Sequence, residues 1–151
     1  MRLIFLSLLL VSSVSVQSAE DYVVKFGILE NRSGQFSLLV ETSVLPLIPV
    51  DKGLYFGVEI SPESNDPYVI DLVAKLPGEP KKLSGVFEGT TPRQAQEGLT
   101  FPSYKLTGVS TIPMGFDEGD PLGIYTLEVY ANKNLIKTIE YQAIDDPNLT
   151  E

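Results

Sequence analysis

The sequence predicts an all-β protein, a single two-sheet antiparallel sandwich of seven or eight strands. Three observations carry this. Short runs of β-branched and aromatic residues recur along the chain, each closed by Gly, Pro, Asn, Asp or Ser, with a turn about every ten residues. Inside several runs apolar and polar residues alternate at period two, the pattern of a strand with one buried face. No long segment repeats apolar residues at helical spacing.

The first nineteen residues read as an address rather than as structure. Met1 and Arg2 give a basic start, residues 3–11 are almost wholly apolar, and residues 12–19 are small and polar. This is the layout of a secretory signal peptide. The apolar stretch is shorter than the ~20 residues that cross a bilayer. Cleavage is expected after Ser18 or Ala19, leaving residues 20–151 as one exported domain, periplasmic or secreted. No later segment has the length and apolarity of a transmembrane span.

The elements follow in order. Residues 22–30 form a strand ended by Asn31-Arg32-Ser33-Gly34, and residues 35–42 form its neighbour. Residues 45–50 carry Pro46 and Pro49, which lack an N–H for a ladder, so this piece is an edge or a crossover, left partly unpaired. In residues 53–60, Leu54, Phe56, Val58 and Ile60 share a face. Across a polar loop, Tyr68, Ile70, Leu72, Ala74 and Leu76 share another, with Asp71 and Lys75 opposite. Pro77-Gly78-Glu79-Pro80 breaks the chain, and residues 83–88 are a further strand. A short helix fits next, with Thr91 as cap, Pro92 first and Gly98 as stop. Residues 101–112 are extended. Residues 123–131 form a strand facing Tyr125, Leu127 and Val129 one way; Asn132-Lys133-Asn134 turn it back, and residues 135–144 return as its partner. Residues 145–151 are a tail.

Composition narrows the function. The chain has 151 residues, 11 Lys and Arg against 20 Asp and Glu, net charge −9, and no Cys, His or Trp. A disulfide, a Ser-His-Asp triad, a Cys-His pair and a thiolate or imidazole zinc site are thereby excluded. The acidic balance counts against nucleic acid, where affinity rests on Lys and Arg. No cofactor is expected. A metal would need oxygen ligands only, which leaves the loop residues Asp117, Glu118 and Asp120 as calcium candidates, although they lack calcium-loop spacing. Lys81-Lys82 reads as a solvated pair. Ser37, Ser84, Ser103 and Ser110 are the serines that a Ser-Lys hydrolase could use. The expected role is a non-catalytic binding or accessory module with a protein or envelope partner. The alternatives are a carboxylate- or Ser-Lys-dependent hydrolase and a calcium-dependent surface module.

Two patterns carry a resemblance. Gly123-Ile124-Tyr125-Thr126-Leu127 resembles the start of the penultimate strand of immunoglobulin-like sandwiches, where the Tyr forms a "tyrosine corner"; Leu127 stands where antibody-type domains place a Cys. The ordered set Phe26-Gly27-Ile28, Ile48-Pro49, Phe56-Gly57-Val58 and the closing hairpin from Gly123 resembles a bacterial family of small exported domains of unknown function. That resemblance implies an immunoglobulin-like sandwich and an exported location, and it carries no active residues.

Overall fold

In a computed structural model the described residues are 18–83 and 85–145, and they form a sandwich of two β-sheets. Residues 1–17 of the expected signal segment 1–19, Ser84 and most of the expected tail (residues 146–151) lie outside them. The strands are β1 (Tyr22–Arg32), β2 (Gln35–Glu41), β3 (Val44–Pro46), β4 (Tyr55–Pro62), β5 (Tyr68–Lys75), β6 (Leu99–Thr100), β7 (Tyr104–Leu106), β8 (Ser110–Met114), β9 (Gly123–Ala131) and β10 (Asn134–Ile144), with one helix, α1 (Pro92–Glu97). The first sheet has the order β2-β1-β4-β8. The second has the order β3-β10-β9-β5-β6, with β7 also paired to β5.

Ten strands replace the expected seven or eight because β3, β6 and β7 are only two or three residues long. Periodicity needs four or more residues to register, so such fragments leave no trace in it. Pairing is antiparallel except for β3, which runs parallel to the end of β10. The expected strand at 83–88 is instead a 3₁₀ turn at Gly85–Phe87. Gly85 has φ of +60° and Glu88 N–H closes onto its carbonyl, so the backbone bonds locally and forms no ladder there. The extended stretch at 101–112 is divided by a turn at Gly108 into β7 and β8. The helix forms as read, with Thr91 and Gln94 in a reciprocal capping box.

The alternating faces meet between the sheets. Phe56, Val58, Ile60, Tyr68, Ile70, Leu72, Leu127 and Val129 are buried there. A column of rings bridges the layers: Phe26 lies 4.8 Å from Tyr141, Phe56 4.7 Å from Phe116, and Tyr125 stacks on Tyr141 at 5.1 Å. Such pairs contribute about 0.5–1.5 kcal/mol each beyond their burial.

The first sheet is sharply curled. Gly27 and Gly57 face each other across β1 and β4. A β-carbon on Gly27 would fall on the Val40 carbonyl oxygen, and one on Gly57 on that of Ile112. The flanking strands therefore fold over the glycine pair, which brings the sheet's two edges, β2 and β8, near each other. Leu29 is buried in this curl, apart from the main core.

Candidate functional site

The loops at one end of the sandwich converge on a cleft. Residues 46–53 leave β3 and enter a 3₁₀ turn at Val50–Lys52. Residues 77–82 leave β5, and residues 115–122 join β8 to β9. Backbone hydrogen bonds pin the three together. Val50 N–H donates to the Phe116 carbonyl at 2.9 Å and Lys81 N–H to the Gly119 carbonyl at 3.1 Å. Gly119 has φ of +90°, and a β-carbon there would lie 2.7 Å from that of Lys81, so only glycine lets these loops interlock.

The cleft between them has a volume of about 390 Å³. Lys81 and Lys82 supply positive charge, Asp51, Asp117 and Glu118 negative charge, and Pro49, Val50 and Phe116 the apolar lining. Neither lysine forms an ion pair among the described residues. The three features that stand apart in the sequence (the two-proline segment, the lysine pair and the acidic loop) are thus walls of one site. Sequence spacing gives no hint of this, because residues 49, 81 and 118 meet only through the chain's return between sheets.

Asp120 takes a structural place within the acidic loop. Its carboxylate accepts Asp117 N–H at 2.8 Å, and its own N–H donates to the Asp117 carbonyl at 3.2 Å. Burial pushes its carboxyl up to about 6, against the lowering effect of the Asp117 N–H bond and with a smaller upward push from the Asp117 charge. Asp117, Glu118 and Asp120 do not assemble a metal cage: among the described residues, no three Asp or Glu side chains are grouped to hold an ion.

Behind Phe116 lies a second space of about 70 Å³, bounded by Phe56, Phe87, Phe101, Tyr125 and Tyr141 with Asp120 at its margin. This space is about half the ~150 Å³ of an apolar cavity that takes a benzene ring, and the outer cleft is several times larger, so the outer cleft is the better candidate site. Burial raises the hydroxyls of Tyr125 and Tyr141 well above the ordinary tyrosine range, which keeps both neutral.

Of the candidate serines, Ser84 lies outside the described residues, and the other three bond groups other than a lysine. Ser37 Oγ donates to Glu30 at 3.2 Å, Ser103 to Asp71, and Ser110 Oγ to the Gly108 carbonyl at 3.4 Å. Lys75 is paired with Glu128 on the outer face at 2.9 Å. Tyr125 forms the expected corner, its hydroxyl donating to the Pro121 carbonyl at 2.7 Å and fixing the end of the acidic loop against the first turn of β9.

No curated protein matches the chain. Among solved structures, an immunoglobulin-like protein from Pseudomonas aeruginosa is 15% identical over 81% of this chain and 92% of its own, with a TM-score of 0.48. The family of the PM0630 beta sandwich domain matches residues 24–144, from β1 to the last residue of β10, and the chain belongs to that family.

Proposed function

We propose that this protein is an exported, non-catalytic binding module that engages its partner at the cleft between residues 46–53, 77–82 and 115–122. The observation that carries the reading is the convergence of three pinned loops on a space with both signs of charge over an apolar lining. Loops held rigid at the end of a sandwich are where such folds put recognition. Opposed charged walls suit a partner segment that itself bears both signs, because charge complementarity fixes orientation and register. Support for a non-catalytic role comes from Ser37, Ser103 and Ser110, whose hydroxyls are engaged by Glu30, Asp71 and a carbonyl rather than by a lysine. Support for export comes from the basic, apolar and small-polar order of residues 1–19.

The full chain is expressed in a bacterium with a photo-crosslinking residue in place of Lys82 or, as control, of Asn65, which is exposed in the loop joining β4 to β5 at the other end of the sandwich. The expected result is a mature chain beginning at Ala19 or Glu20 in the periplasm or medium, with one discrete adduct from position 82 and none from position 65. An uncleaved chain that keeps its first nineteen residues in the cytoplasm, or indistinguishable adducts from both positions, defeats the reading.

A further inference from the structure

The side of the second sheet opposite β6 and β7 carries an interrupted ladder. β3 pairs with β10 only from Gln142 to Ile144. Gln142 N–H donates to the Ser43 carbonyl at 2.8 Å, and the Ile144 carbonyl accepts Leu47 N–H at 2.8 Å, so the even-numbered residues of β10 direct their backbone groups to this side. Backbone polarity alternates along a strand, so Thr138 and Glu140 face the same way. Among the described residues no backbone group bonds them there. The first sheet faces the gap with a matching edge. Phe26 gives its carbonyl to Thr42 N–H at 3.2 Å, and the pairing of β1 with β2 starts only at the next residue, Gly27; Val24, two residues before Phe26, turns the same way and has no strand on that side. Between the two edges is a slot of about 290 Å³ floored by Val24, Phe26 and Ile139, with Lys137 and Glu41 among its polar lining.

From this we infer that the slot accepts an extended segment of a partner polypeptide, added as a strand on β10 in continuation of the β3 ladder. Unpaired backbone groups beside an apolar floor are what strand addition requires: the main chain gives affinity and alternate side chains give register. The floor selects an apolar side chain opposite Ile139, Lys137 an acidic one, and Glu41 a basic one. A second copy of this chain fits less well. Antiparallel pairing of two β10 edges must be centred on one residue. Centred on Thr138 it sets Ile136 opposite Glu140, and centred on Ile139 it sets Thr138 opposite Glu140, so Lys137 never meets Glu140. Each copy also brings a net charge of −9. The inference is independent of the cleft, which lies among other loops.

The probe is a capped pentapeptide, lysine–threonine–valine–threonine–aspartate, which in antiparallel register places valine against Ile139 and aspartate against Lys137. Its control is the same peptide N-methylated at both threonines. Binding is followed by amide chemical shifts and hydrogen exchange of the purified mature chain. The expected result is slowed exchange at Thr138 and Glu140 in proportion to occupancy, affinity more than about tenfold weaker for the methylated peptide, and about fivefold weaker for Lys137→Glu, the value of one exposed charge pair. Lys137 is an exposed residue, so that variant keeps the fold. No perturbation at millimolar peptide, equal binding of the methylated control, or a concentration-dependent dimer that protects the same two amides overturns the inference.

Discussion

Asp120 and Tyr125 flank the bend that carries the acidic loop into β9, and each has a measurable consequence. The Asp120 carboxyl is raised from 3.8 to about 6 in the folded chain, chiefly by burial. Between about pH 4 and pH 6 the native state therefore holds more proton than the unfolded state, and stability falls as pH rises through that window. Asp120→Asn keeps an acceptor for Asp117 N–H and removes the charge. The variant is expected to match the parent near pH 4 and to exceed it by about 1–2 kcal/mol at pH 7, a value reduced from the full shift because the group is partly solvated. Urea titrations at the two pH values check this, and a parent that is the more stable at pH 7 refutes it. Tyr125→Phe removes the hydroxyl that binds the Pro121 carbonyl. It is expected to cost about 1–2 kcal/mol without changing the fold, as read by thermal melts and a one-dimensional proton spectrum. The two residues were unequally legible. Tyr125 sits in a Gly-x-Tyr pattern whose geometry is local. Asp120 belongs to an acidic run that reads as a solvated turn, because composition reports charge and not depth.

Strands that alternate over seven or more residues, β4, β5, β9 and β10, were readable because one buried face imposes period two across their whole length. Pieces held by a neighbour rather than by their own pattern were not: β3 exists because β10 offers it three residues of edge, and β6 and β7 because β5 offers theirs. Proline at 46 and 49 pointed to an edge or a crossover, since a missing N–H cannot serve a central strand, and β3 is the edge of the second sheet. The curl of the first sheet was also hidden. The recurring Phe-Gly pairs mark it, but only the facing of Gly27 with Gly57 explains them. Gly57→Ala drives a β-carbon into a backbone carbonyl of the adjacent strand and is expected to cost about 3 kcal/mol or more. Gly34→Ala meets no atom within 4 Å and strains only φ of +87°, so about 1 kcal/mol is expected. Chemical denaturation of both variants separates close approach from backbone strain; equal losses would remove the steric account of the curl.

At the scale of the whole molecule, stability has to come from the layered core, because the sequence offers no cysteine and the described residues offer no grouped metal ligands. Twenty buried side chains from both sheets form one contiguous cluster. Opposing it is a net charge of −9, which repels itself in the compact state. Two predictions separate these terms. Screening the charge should raise Tm as sodium chloride is increased, since surface repulsion weakens once separations exceed the Debye length of about 10 Å at 0.1 M. Calcium and magnesium, compared at equal ionic strength, should then give the same Tm, and chelator should change nothing beyond ionic strength. A site that bound calcium only in the folded chain would raise stability by about 2.7 kcal/mol at a hundred times its dissociation constant. A calcium-specific rise would therefore mean that the Asp120 carboxylate leaves Asp117 N–H and joins Asp117 and Glu118 around an ion. Asp120→Asn would abolish that rise while leaving the response to sodium chloride intact, so the two variables together decide whether the acidic loop is a wall of the cleft or a metal site.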